Sequence, residues 1–195
     1  MKLKDISHYV IDKISSDSIN LNQYVTTDSL LQNKAGKESA TNLPPQRCLL
    51  TYFQKGDILI ANIRPYLKKI WQADHDGACN ADVLVLRANK QSDSDYLFAL
   101  LMQDSFYDYV MQGAKGSKMP RGDKNQIMEY EFLQMDRSER EQIGCLFSNI
   151  KGKIDSLKSI NRNLCASREQ NKNVVLVMPR RCHKWRQHLN LSLSA

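Results

Sequence analysis

The chain has no apolar run long enough to span a bilayer, and residues 1–12, MKLKDISHYVID, lack the apolar core of a secretory leader. A cytoplasmic protein is therefore expected. Its five cysteines, Cys48, Cys79, Cys145, Cys165 and Cys182, are scattered without a Cys-x-x-Cys pair, which argues against a disulfide framework. The four histidines are equally dispersed, and Cys165, Cys182, His183 and His188 lack zinc-finger spacing. There is no Gly-x-x-x-x-Gly-Lys-Ser/Thr loop for a nucleotide, no glycine-rich loop behind a strand for S-adenosylmethionine, and no setting for a Ser or Cys nucleophile. Asp57, Asp82 and Lys90 do not have the spacing of a metal nuclease. Arg121-Gly122-Asp123 spells the integrin tripeptide by chance. No catalytic residue, metal ligand or cofactor site is expected in this chain.

What remains is a globular composition, 42% hydrophobic and 25% charged, which excludes wholesale disorder. The formal net charge is +7, but it is unevenly placed. Residues 166–195 hold six Lys/Arg against one acid, whereas the first 165 residues hold 22 against 20. A nucleic-acid argument from bulk charge therefore fails, and any such argument must rest on local placement.

Glycine and proline are few, 8 and 5, so each is informative as punctuation. The stretch 56–71, GDILIANIRPYLKKIW, reads as two strands bent at Pro65, with Arg64, Tyr66, Lys68 and Lys69 crowding one rim. Its Asn-Ile-Arg-Pro-Tyr corner is one residue out of step with the Asn-Pro-Pro-Tyr loop of amino-methyltransferases, so that reading is rejected. Residues 3–14 and 20–26 read as strands, Thr27-Asp28 as the cap of a short helical turn through Leu31, and 33–46 as a surface loop. Residues 82–87, DVLVLR, form the cleanest strand, apolar enough for burial on both faces. Residues 96–111 have helical spacing, divided near Asp104 or Ser105. A second basic loop follows, with Lys115, Ser117, Lys118, Arg121 and Lys124, and residues 129–133 read as a last strand.

From Asp136 the pattern changes. Asp136 with Glu139 resembles a capping box, and Ile143, Phe147, Ile150, Ile154, Leu157, Asn161 and Leu164 follow in alternating steps of four and three. This is a narrow heptad seam with one polar core position, the pattern of a helix that pairs with another long helix. The expected architecture is an α/β (α+β) domain with a mixed sheet over residues 1–135, a spacer or dimerisation helix over 136–165, and an atypical basic tail over 166–195, for which disorder is one reading.

The ordered blocks GDILIANIRPYLKKIW, CNADVLVLRA, YLFALL, GSKMPRGDKNQIMEYEF and EREQIGCLFSNIKGKIDSLKSINRNL resemble the specificity subunit of type I restriction-modification systems, over roughly residues 6–164. The resemblance is to one target recognition domain followed by one of the two spacer helices. It implies a non-catalytic, sequence-specific DNA-binding half-subunit. Its partners would be double-stranded DNA, methyltransferase subunits and a motor-nuclease subunit, with S-adenosylmethionine and Mg/ATP on those partners and a homodimer through the seam as a further expectation. On this resemblance Arg64, Tyr66, Lys68, Lys69, Lys115, Ser117, Lys118, Arg121 and Lys124 would touch DNA, by phosphate or base-edge contacts. After Leu164 the resemblance ends, and the change of composition suggests a truncation or a shifted reading frame. The rival expectation is a protein-interaction remnant that docks on the methyltransferase without productive DNA recognition.

Overall fold

The computed structural model of the protein describes residues 1–116 and 118–176, with side chains through residue 165. In chain order the elements are α1 (Leu3–Ile6), β1 (Ser7–Tyr9), β2 (Lys13–Ser15), β3 (Tyr24–Val25), β4 (Leu49–Phe53), β5 (Ile58–Ala61), β6 (Ile70–Gln72), β7 (Gly77–Cys79), β8 (Val83–Ala88), α2 (Ser94–Leu101), α3 (Asp104–Gln112), α4 (Lys124–Met128) and α5 (Arg137–Leu176). Two compact units divide the chain, residues 1–149 and residues from 150 onward. The opening turns of α5 belong to the first unit.

The strands make two four-stranded sheets. One has the order β1-β8-β5-β6 and is antiparallel throughout. The other has the order β2-β4-β7-β3 and is mixed, because β3 runs parallel to β7. Side chains alternate across a strand, so the continuous apolar runs of β5 and β8 must be covered on both faces. Ile58, Ile60, Ile70, Leu84 and Leu86 face one core with Leu97, Leu101, Phe106, Tyr107 and Val110 of α2 and α3. Leu59, Ala61, Val83 and Val85 face a second core with Val25, Leu30, Phe53 and Cys79 from the side of the other sheet. The double burial expected for residues 82–87 is thus present, although the sheet is antiparallel: helices cover one face and the second sheet covers the other. Gly77 makes the second sheet possible, since a Cβ there would lie 2.3 Å from the Gln23 carbonyl oxygen and 2.7 Å from Phe53 Cζ.

Several local readings are corrected. Residues 3–14 do not form one strand. Asp5 accepts from the Lys2 N–H at 2.7 Å, and Leu3 and Ile6 bury at helical spacing, which gives the single turn α1 before β1 begins. Of residues 20–26 only Tyr24 and Val25 are strand, because the Asn20 side chain accepts from the N–H groups of Asn22 and Gln23 and holds a turn. The segment after Thr27 is a turn and not a helix; the reciprocal bonds run between Thr26 and Ser29 and close it after one turn. Residues 129–133 make only the bridge Lys2↔Glu131, since the partner segment turns away into α1. The division of residues 96–111 at Asp104 is as expected.

Asp136 and Glu139 do form a capping box: Glu139 accepts from the Asp136 N–H at 2.9 Å, and Asp136 accepts from the Glu139 N–H at 2.8 Å. The helix continues to Leu176, past the end of the apolar seam. Loss of apolar spacing does not end a helix. An interior proline does, and none occurs from Arg137 to Leu176. No described helix is long and apolar enough to cross a membrane.

Candidate nucleic-acid interface

β5 leaves its sheet at Asn62, and the chain must turn back into β6. It does so through a 3-10 turn, Pro65–Leu67, flanked by Arg64 and Lys68, both in the left-handed region with φ of 53° and 51°. Pro65 is buried, and its missing N–H is no loss at the first position of a helical turn. The second basic loop closes on itself through paired bonds of 2.9 Å between the backbones of Lys115 and Arg121. It is then fastened to the first: the Arg64 N–H donates to the Pro120 carbonyl at 2.8 Å, and the Gly122 N–H to the Asn62 carbonyl at 3.2 Å. A Cβ on Gly122 would meet side-chain atoms of Asn62, Val110 and Ile127 at 3.0–3.2 Å, so a larger residue there would press on all three. Two loops far apart in sequence therefore form one hydrogen-bonded rim. The sequence named both loops but gave no sign of their junction.

The cations of that rim are not equivalent. Lys68 shares the Asp104 carboxylate with Lys34, at 2.7 and 2.6 Å. These two ammonium groups, Lys34 first, hold the Asp104 carboxyl down at about 2. Lys69 donates to the Thr27 carbonyl and is half-buried. Arg121 pairs with Asp82 at 3.0 Å, and Lys115 with Asp123 at 3.1 Å. Lys115, followed by the N–H groups of Gln126 and Asn125, keeps the Asp123 carboxyl below the usual carboxylate range. The same Asp123 caps α4, a helix absent from the sequence reading although an Asp before a short apolar-spaced run was its available signal. Arg64, Lys118 and Lys124 are exposed and make no ion pair or side-chain hydrogen bond among the described residues. Tyr66, two residues from Arg64, is half exposed. Ser117 lies outside the described residues, as does the basic stretch from residue 177.

Three cations unpaired among the described residues, three acid-tethered ones and an exposed aromatic ring on a backbone-locked rim are suited to a polyanion. The unpaired groups can meet phosphates at no cost of broken ion pairs, and the planar guanidinium of Arg64 can address two acceptors at once. Asp57 and Asp82, set aside above as nuclease ligands, are bonded to arginines, and the acids around His75 are engaged as well. Asp57 is buried and takes two bonds of 2.7 Å from Arg87, while Asp82 holds Arg121. His75 is held by Asp74 and the Asn22 carbonyl, and Asp76 by Tyr52 and Lys55.

The helix seam divides in two. Ile143 and Phe147 pack, partly buried, on the domain's own core, Phe147 at 5.7 Å from the Phe98 ring, so these two already have cover within the chain. Heptad spacing identifies a face but not what covers it. Beside them Arg140 forms a buried pair with Asp93 at 3.0 Å. Ile150, Ile154, Leu157 and Leu164 are 45–63% exposed, with Asn161 exposed among them.

No family model matches the sequence. The chain is 30% identical over 91 residues to the type I restriction enzyme EcoDI specificity subunit of Escherichia coli, a match that spans 47% of this chain and 20% of that protein. The crystal structure of the HsdS subunit from Thermoanaerobacter tengcongensis superposes with a TM-score of 0.61 at 17% identity, over all of this chain and 50% of that one. A chain from a structure on complex assembly and conformational transition of the type I R-M system gives 0.60 at 18%, again over all of this chain and 50% of its own length. In sequence and in fold, the chain is thus similar to the specificity subunits of type I restriction-modification systems, and it spans about half the length of the solved chains it matches.

Proposed function

We propose that this chain is a non-catalytic, sequence-specific DNA-binding half-subunit of a cytoplasmic type I restriction-modification complex. The observation that carries this reading is the backbone-locked rim on which Arg64, Lys118 and Lys124, unpaired among the described residues, stand beside the tethered Lys68, Lys115 and Arg121. The likeness to specificity subunits supports it. In this reading double-stranded DNA lies along the rim. Methylation and cleavage belong to methyltransferase and motor-nuclease partners, which carry S-adenosylmethionine and Mg/ATP. The exposed half of the α5 seam takes a second long helix, from another copy of the chain or from a paired domain.

An electrophoretic shift with random duplexes over a salt series tests the rim, with and without type I methyltransferase subunits. The triple substitution Arg64→Ala, Lys118→Ala and Lys124→Ala is expected to weaken binding across all sequences. It should flatten the salt slope by about 0.9 for each lost phosphate contact. An unchanged slope removes these residues from the interface. A docking role without DNA recognition is favoured by the exposed apolar side chains of α5 alone. It predicts no shift with DNA, yet association with methyltransferase subunits.

A further inference from the structure

Resting on the DNA-binding reading above, we infer that the turn at Gln32, Asn33 and Lys34 is a third segment of the rim, in which Asn33 reads a base edge. No sequence signal marked this turn, which lies at the edge of the polar stretch 33–46. The structure straps it to the corner: the Asn33 N–H donates to the Leu67 carbonyl and the Lys34 N–H to the Lys68 carbonyl, both at 2.9 Å. A side-chain strap doubles the backbone one, because Lys34 and Lys68 meet on the same oxygen of Asp104. Two ammonium groups on one carboxylate leave a positive balance at this point, continuous with the proposed interface.

The backbone is as unusual as the straps. Asn33 and Lys34 have φ of 54° and 60°, and Arg64 and Lys68 have 53° and 51°; the other positive-φ non-glycine among the described residues is Arg47. Asparagine tolerates the left-handed region by itself, but two consecutive side chains there, the second a lysine, need tertiary support. The straps to Leu67, Lys68 and Asp104 supply it. The result is a rigid turn that holds Gln32 and Asn33 exposed, with no side-chain hydrogen bond among the described residues. A carboxamide offers a donor and an acceptor in one plane, the complement of the adenine N6 and N7 edge in the major groove. Held rigidly beside cations that position a duplex, it is equipped to discriminate and not merely to adhere.

Selection of bound duplexes from a random pool by the whole chain, compared with Asn33→Gly, tests this. Glycine keeps the left-handed backbone and removes only the carboxamide. The substituted chain is expected to bind random DNA with the parent's affinity and salt slope. It should lose a preference for adenine at one position by roughly 5- to 150-fold, the range that one bidentate base contact provides. If Asn33→Gly selects the parent's sequence while Arg64→Ala weakens binding, the third segment is wrong and the rim stands. If the parent chain selects no sequence and Arg64→Ala has no effect, the rim and this turn fall together.

Discussion

Asp104 shows how one exposed side chain can organise a surface. It opens α3, accepts from Lys34 and Lys68, and so fastens two loops whose residues stand 70 and 36 positions away. These hydrogen bonds favour its charged form and lower its pKa from 3.8 to about 2. A carboxylate with a depressed folded pKa contributes stability above its unfolded value, and that contribution is lost as pH falls through the folded one. Asp104→Asn is therefore expected to melt slightly below the parent at pH 7, with the gap closing between about pH 4 and pH 2. Thermal melts across that range check it; a gap that persists unchanged at pH 2 would show that Asp104 acts by something other than its charge. The effect should be small, because the carboxylate is 64% exposed and water screens the pairs.

At the scale of elements, the start of α5 is fixed by two pairs of different kinds. Arg137 and Glu141 lie four residues apart on the exposed surface of the helix, where water screens the pair and little stability results. Arg140 and Asp93 are almost fully buried and belong to different elements. Arg140→Ala strands the Asp93 carboxylate in the interior, and a loss of about 3 kcal/mol is expected. Glu141→Ala should leave the urea midpoint nearly unchanged, and equal midpoint shifts for the two substitutions would contradict this account. The capping box that begins α5 was legible in the sequence because both partners lie within four residues. The Asp93 contact was not, because nothing in residues 93 and 140 marks them as neighbours.

For the whole molecule, the exposed stripe of Ile150, Ile154, Leu157 and Leu164 is the main unanswered demand for burial. With a second long helix as its proposed cover, the purified chain is expected to scatter light as a dimer at micromolar concentration. Ile154→Asp, which sets a charge in the middle of the seam, should return it to the mass of a monomer. A monomer in both forms would leave the stripe to a different partner.

The strands β5 and β8, the bend at Pro65, the division between α2 and α3 and the box at Asp136 were all readable from the residues alone. Each depends on spacing, on a backbone restriction or on a side chain bonding within its own turn, and such interactions act over a few positions. The same local chemistry identified the two basic loops and the apolar face of α5. It could not distinguish a cation held by Asp82, Asp104 or Asp123 from one left free, nor a seam residue on its own core from one awaiting a partner. Those distinctions depend on which distant segments the two sheets bring together: the contact between Asn62 and Gly122, and the straps from residues 33 and 34 to 67 and 68. Residue spacing carries local periodicity, whereas proximity between remote segments arises only when the sheets pair and the cores close.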